Sequence, residues 1–178
     1  MTTFANFWSG LKQTTQAAPY LLIDCAGIEG GEPRIPKSVF TELECLFTGD
    51  LADELADVGP YLGRLVALSD EVGAVVKDLL DRQVALLVTL QDAARPEDEV
   101  TFGQLHRHFR KFNVVYGPDG APLFFRYYDP RVLPDVLGVL DEKQLTAFFG
   151  PIDSLVLAPH PAKVVRCFRR GAELAVVS

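Results

Sequence analysis

Cysteine is scarce in this chain, and the motifs that usually carry metal or redox chemistry are missing. The 178 residues include three cysteines, Cys25, Cys45 and Cys167, which lie far apart and form no C-x-x-C pair. The sequence therefore offers neither a zinc ribbon nor a thioredoxin-like active site. Each cysteine has apolar neighbours, which is typical of small buried side chains. We expect no metal site and a location in a reducing cytoplasm.

Long apolar runs are also missing. No stretch approaches the ~20 residues that a membrane-spanning helix needs. Residues 1–16 have neither the basic region nor the apolar core of a signal peptide. We therefore expect no membrane association.

The motifs of nucleotide binding and of nucleophilic catalysis are absent as well. A glycine loop at residues 24–32 reads G-x-x-G-G instead of G-x-G-x-x-G, and it carries acidic residues that would repel phosphate. No G-x-S-x-G sequence occurs, and no cysteine has a histidine nearby in sequence. We predict no catalytic residue and no cofactor. A small enzyme or nucleotide binder that uses Asp24 and this loop is the alternative.

Positive charge is in the minority, but it is unevenly distributed. The net charge is −7. Residues 1–100 carry 7 basic and 17 acidic side chains, whereas residues 101–178 carry 10 basic and 7 acidic ones. An acidic total argues against a general nucleic-acid binder, whose affinity comes from lysine and arginine. The division could provide an acidic face for one partner and a basic face for another.

A basic run, His106-Arg-His-Phe-Arg-Lys111, lies within a predicted helix. Residues two apart on a helix point about 200° apart, so His106 and His108 are not expected to share a metal ion. We interpret the run as a solvated basic face with Arg107, Arg110 and Lys111 as candidate partner-binding residues. A nucleic-acid-associated module that uses this helix is a further alternative.

Strand and helix signals alternate along the chain. Continuous apolar runs predict strands at 20–24, 64–68, 84–90, 152–157, 163–168 and 173–177, and a glycine-rich turn at 117–122 predicts a hairpin between 113–116 and 123–128. Apolar spacing predicts helices near 4–11, 36–47, 51–58, 70–82 and 102–111. Thr101–Gln104 and Asp141–Gln144 match capping boxes, and Asp129-Pro130 is expected to begin another helix. This pattern indicates an α/β (mixed α+β) fold, a single domain over residues 1–178 with a central mixed β-sheet flanked by helices.

The most distinctive segment combines aromatic residues with arginines. It reads Phe125-Arg-Tyr-Tyr-Asp-Pro-Arg-Val-Leu133 and is followed by Phe148-Phe-Gly-Pro-Ile152. Tyrosine and arginine are favoured at interface hot spots. Arg126, Tyr128, Asp129 and Arg131 are therefore further candidate partner-binding residues, although an aromatic strand followed by an N-cap would account for the same pattern.

This segment resembles the signature of the family known as domain of unknown function 4123. Matches in the same order occur at Tyr20–Asp24, Leu46–Gly49, Ala56–Leu62 and Pro118–Gly120, so that the resemblance covers roughly residues 20–157. It implies a non-catalytic adaptor or chaperone for bacterial type VI secretion. Such a protein binds a toxic effector in the cytoplasm and helps to load it onto the VgrG-type spike. The partners implied are thus the effector and the spike protein, with no nucleic acid and no membrane.

Overall fold

A seven-stranded sheet runs through the protein, and helices pack on both of its faces. The computed structural model describes residues 4–14, 18–92, 98–160, 163–170 and 173–177, with side chains described up to residue 158. The arrangement is a single α+β domain, as the sequence predicts.

The strands and helices are as follows. The strands are β1 (Tyr20–Asp24), β2 (Phe40–Cys45), β3 (Pro60–Leu65), β4 (Ala85–Leu90), β5 (Val114–Tyr116), β6 (Pro122–Phe124), β7 (Ile152–His160), β8 (Lys163–Arg170) and β9 (Glu173–Val177). The α-helices are α1 (Phe4–Thr14), α2 (Asp50–Leu55), α3 (Asp70–Asp81), α4 (Phe102–Arg110), α5 (Leu133–Val139) and α6 (Glu142–Phe149).

The sheet has the order β2-β3-β1-β4-β7-β8-β9, and every neighbouring pair is antiparallel. The expectation of mixed strand directions was therefore wrong. The reason lies in the connections, because β1 and β2 run the same way but have β3 between them. β3 and β4 likewise run the same way and have β1 between them. Each crossover skips one strand, so no two parallel strands become neighbours.

The central strands are mostly apolar because both faces of the sheet are covered. In β1, Leu21 and Ile23 point to one face, and Tyr20 and Leu22 point to the other. The first face packs against α1, α3 and the loop before β2, and the second packs against α4, α5 and α6. The layer on this second face is built from residues 102–149, which include the arginine–aromatic segment.

Helix α1 is held against α3 by an unusually close contact. The indole Nε1 of Trp8 donates to the carbonyl of Ser69 at 3.2 Å. A Cβ atom at Gly73 would lie 2.5 Å from this nitrogen, so the absence of a side chain at Gly73 is what lets Trp8 settle on α3. Lys12 pairs with Asp70 beside it.

Two helix boundaries follow from local sequence and were predicted correctly. Thr101 with Gln104 and Asp141 with Gln144 each form a complete capping box, in which both reciprocal hydrogen bonds are present. Ser69 caps α3 in the simpler way, by accepting from the amide of Val72.

Three other predictions were wrong. Residues 36–47 do not form a helix, because a short 3-10 turn is followed there by β2 at the edge of the sheet. The segment after the hairpin is not a strand up to Tyr128, since β6 ends at Phe124 and residues 127–132 form turns. Asp129 does not cap a helix either, because its carboxylate is bound by Arg131 and α5 begins only at Leu133.

Some predictions fall partly outside the described residues. Strands β8 and β9 confirm the expected C-terminal strand pair, whereas the side chain of Cys167 and residues 171–172 lie outside the description. Within the described ranges, no helix has the length and apolar character needed to span a bilayer.

Candidate functional site

A buried ion pair joins the end of β1 to the arginine–aromatic segment. Asp24 is on the same face of β1 as Leu22, and its side chain is 1% exposed. Nη2 of Arg126 donates to its Oδ2 at 2.6 Å, while about half of the Arg126 side chain remains exposed to solvent. No described residue donates to Oδ1 of Asp24 with hydrogen-bond geometry. Among the described side chains, Arg126 is the one that donates a hydrogen bond to this carboxylate.

Asp129 extends this pair into a network. Its carboxylate accepts two hydrogen bonds from the guanidinium of Arg131, both of 2.8 Å, and a third of 3.0 Å from the Arg131 amide. Arg126 lies 3.7 Å from Oδ2 of the same carboxylate. Two buried carboxylates therefore alternate with two arginines that reach the surface.

The two carboxylates of this network differ in acidity. Burial raises the pKa of Asp24 above its usual value, and the charge and hydrogen bond of Arg126 offset only part of that effect. Burial would also raise the pKa of Asp129, but the hydrogen bonds and charge of Arg131 outweigh it and lower the pKa. Burial raises the pKa of the Tyr128 hydroxyl to about 12.

The tyrosine at the centre of this segment is part of the core. Tyr127 is fully buried and stacks on Phe109 with the rings 6.0 Å apart and nearly parallel. Its hydroxyl lies 2.8 Å from the carbonyl of Phe109 and 3.1 Å from Oδ1 of Asn113. Asn113 in turn donates to the carbonyl of Leu46 at 2.8 Å. The signature thus links α4, the segment after β2 and the end of β1.

The structure therefore divides the predicted site residues into two groups. Arg126, Tyr128, Asp129 and Arg131 come together in the network, where Tyr128 and Asp129 are buried and the two guanidinium groups reach solvent. A structural role for the buried members follows, and partner binding by this group stays a prediction. The pairing of Asp24 with Arg126 could not be predicted from local patterns, because the two residues are 102 positions apart.

The glycine loop after β1 has a structural explanation. Gly31 has φ +67° and ψ −152°, and a Cβ atom there would lie 2.3 Å from the carbonyl oxygen of Asp57. Asp24 faces Arg126, and its own amide donates to the carbonyl of Val84 at 2.9 Å. In this arrangement the loop packs against the chain, and the carboxylate already has a cationic partner.

The second group of predicted residues lines an open cleft. Arg107 and Arg110 on α4 and Lys111 directly after it are exposed, and they line a cleft of about 500 Å³. Nη2 of Arg110 donates to Oγ1 of Thr48 at 2.9 Å across it. The remaining lining residues are mainly apolar and come from two segments: Leu46, Phe47, Thr48, Leu51, Asn113 and Val114.

The histidines of this helix are not part of its solvated face, contrary to expectation. Both are buried, and Nε2 of His106 donates to the carbonyl of Cys45 at 2.8 Å, while Nε2 of His108 donates to that of Phe148 at 2.7 Å. The two rings thus point in different directions and donate to different carbonyl groups, as the helical spacing predicts. Within the described part of the chain, no three His, Cys, Asp or Glu side chains are grouped so that they could hold a metal ion.

The hairpin β5–β6 carries exposed apolar residues that were not among the predicted site residues. Tyr116 is 74% and Phe124 67% exposed, and Leu123, Val114 and Val115 are exposed as well. The signal was present, because apolar residues fill both alternating positions of two short strands. A hairpin covered on one face would show a polar residue at every second position.

These observations define the class of protein: it is an α+β domain with a buried carboxylate–arginine network and an open basic cleft. A family model described as Domain of unknown function (DUF4123) matches residues 19–147, and the chain belongs to this family. No curated protein and no solved structure matches the chain significantly.

Proposed function

We propose that this chain is a non-catalytic adaptor that binds a type VI secretion effector in the cytoplasm and helps to load it onto a VgrG-type spike. Membership of the DUF4123 family carries the proposal, because the resemblance to that family implies this role.

The chemistry of the described residues supports a non-catalytic role. Burial raises the pKa of the Cys25 and Cys45 thiols, which makes both of them poor nucleophiles at neutral pH. The buried carboxylate of Asp24 is bound by Arg126. An adaptor needs instead a stable frame and an accessible surface, and the cleft beside α4 together with the hairpin offers such a surface.

The test is a combination of co-purification and secretion. The tagged chain is isolated from the bacterium that produces it, and stably bound proteins are identified by mass spectrometry. We expect a large toxin and a spike protein among them. Deletion of the gene should abolish secretion of that toxin, while another effector of the same secretion system is still exported.

The proposal fails if no secretion component co-purifies and export of every effector is unchanged by the deletion. The proposal would also be contradicted if the purified chain catalysed the conversion of a small-molecule substrate.

A further inference from the structure

The basic wall of the cleft and the exposed hairpin form one continuous surface. Val114 lines the cleft, and it also begins β5. Side chains alternate along a strand, and Val114 pairs with Phe124 while Tyr116 pairs with Pro122. Val114, Tyr116, Pro122 and Phe124 therefore share one face of the hairpin, which continues from the cleft. We call the residues Arg107, Arg110, Lys111, Val114, Tyr116 and Phe124 the α4–hairpin surface.

The apolar part of this surface is large for a protein exposed to water. The exposed side chains of Tyr116 and Phe124 stand on a two-stranded hairpin that joins no other described strand. Such hairpins are marginally stable alone, and contiguous exposed apolar residues mark interaction sites. Large aromatic side chains are also the usual anchors of protein interfaces. A partner that covered this face would bury both rings.

The cations of this surface have no ion-pair partner among the described residues. This holds for Arg107, Arg110 and Lys111, and Nη2 of Arg110 donates a hydrogen bond to the Thr48 hydroxyl. Three cations beside an apolar floor favour an acidic partner, because complementary charge speeds association and selects the partner.

Negative charge on the helix that carries Leu51 argues for a protein partner and against a nucleic acid. Leu51 lines the cleft from α2, whose exposed side chains include Asp50, Asp53 and Glu54. These carboxylates would repel a phosphate backbone that followed the cleft. A peptide with acidic residues along one edge can place that edge toward α4 and leave α2 beside its uncharged edge.

We propose that the α4–hairpin surface is the docking site for an amphipathic segment of the partner protein, with an apolar stripe against Val114, Tyr116 and Phe124 and acidic residues against α4. The inference rests on the proposed function in one respect, namely that the segment belongs to the effector. The evidence for the surface itself is the exposure, charge and geometry of its residues.

Designed peptides test the surface without the effector. A fluorescein-labelled helical peptide with a leucine stripe and flanking glutamates is titrated against the full chain. The same peptide with lysines in place of glutamates and a uridine oligonucleotide serve as comparison probes. We expect the glutamate peptide to bind about tenfold more tightly than either of the others.

Paired variants separate the two parts of the surface. Arg107→Glu with Arg110→Glu should weaken binding of the glutamate peptide about tenfold and strengthen binding of the lysine peptide. Tyr116→Ser with Phe124→Ser should weaken binding of both peptides about tenfold. The matched control, Lys77→Glu with Arg82→Glu, makes the same charge change on α3 at the opposite face of the sheet. It should alter affinity by less than about twofold, and circular dichroism confirms that each variant is folded.

Several results would overturn the inference. Equal binding of the glutamate peptide to all variants, or no binding at all, rules out the docking site. Tighter binding of the oligonucleotide identifies a nucleic-acid surface, and a dimer that Tyr116→Ser with Phe124→Ser dissolves in sedimentation identifies a self-association surface.

The co-purified effector separates this inference from the proposed function. If the effector binds all variants equally, the docking site is wrong and the adaptor role stands. If no effector is found but the peptides behave as expected, the surface stands and the adaptor role fails.

Discussion

Asp24 and Arg126 are separated by 102 positions in the sequence and are joined by a hydrogen bond of 2.6 Å between Oδ2 and Nη2. The carboxylate is buried, whereas the guanidinium reaches the surface. The pair fastens the end of a central strand to the turn that carries the arginine–aromatic segment. Arg126 thus has a structural role in addition to its predicted role in partner binding.

Arg126→Ala should destabilise the protein more than Asp24→Asn does. Removal of the arginine leaves a buried charge without its partner, whereas the asparagine removes that charge. We expect a loss of about 2 kcal/mol for Arg126→Ala, since the half-exposed arginine is partly screened by water, and less than about 1 kcal/mol for Asp24→Asn. Urea denaturation followed by fluorescence measures both. Arg82→Ala, which breaks an exposed pair with Asp78, is the control and should cost less than about 0.5 kcal/mol. Equal losses for Arg126→Ala and this control would contradict the prediction.

The cost of Arg126→Ala should depend on pH. The pKa of Asp24 is raised above 3.8 in the folded protein, so the stabilisation linked to its proton is fully present below pH 3.8 and is lost as pH rises through the folded pKa. Loss of Arg126 raises that folded pKa further. The destabilisation should therefore be larger at about pH 7 than at about pH 4.

Denaturation of wild type and variant at both pH values checks this result. The double variant Asp24→Asn with Arg126→Ala should lose most of the difference, because it lacks the titrating carboxylate. A cost for Arg126→Ala that grows toward acidic pH would show that another group dominates.

Gly31→Ala should destabilise the protein, which tests the structural explanation of the glycine loop. The backbone at Gly31 has φ +67°, and the added Cβ would lie 2.3 Å from a carbonyl oxygen. We expect a loss of about 2 kcal/mol or more from strain and contact together. Gly138→Ala in α5 is the matched control, since nothing lies within 4 Å of its Cβ position. It should stabilise the helix by about 0.5–1 kcal/mol, and thermal unfolding distinguishes the two outcomes. If both variants melted at the wild-type temperature, the loop would not need its glycine.

Tyr127→Phe should weaken folding while leaving partner binding intact. The variant keeps the ring in the core but removes the hydroxyl beside Phe109 and Asn113. A loss of about 1–2 kcal/mol is expected, because two buried polar atoms lose a neighbour. Tyr116→Phe removes an exposed hydroxyl and should change stability by less than about 0.5 kcal/mol. Chemical denaturation compares the two variants, and reduced effector binding by a folded Tyr127→Phe protein would assign the signature a direct binding role.

Local chemistry made some elements predictable. Thr101 and Asp141 each stand three residues before a glutamine, and this spacing alone defines the reciprocal hydrogen bonds of a capping box. Strands β1 and β4 could be recognised as mainly apolar runs, because the sheet is covered on both faces. Such elements can be recognised from residues that are close together in the sequence.

The errors occurred where distant parts of the chain decide the structure. Val39, Leu43 and Leu46 repeat at helical spacing, but in the structure Val39 and Leu46 belong to the cores on opposite faces of the sheet. Strand β2 is at an edge and half exposed, so its alternation of apolar and polar residues is weak. The Asp24–Arg126 pair could not be predicted, because only the folded sheet brings its members together.

The acidic first part and the basic second part of the sequence do not form two separate charged faces in the structure. The basic wall of α4 and the acidic helix α2 border the same cleft instead of lying on separate faces. The two halves of the chain thus meet at the surface that we propose as the docking site. A partner segment would encounter both charges at once, which restricts how it can be oriented.

The edge strand β2 shows how a protein with exposed aromatic residues can avoid joining copies of itself. Open sheet edges readily recruit other strands. Here Glu42 and Glu44 are exposed along the edge, and His106 occupies the carbonyl of Cys45 at its end. Charge and a side-chain donor thus discourage sheet extension at this edge. Copies of the chain are therefore not expected to pair strand to strand along this edge.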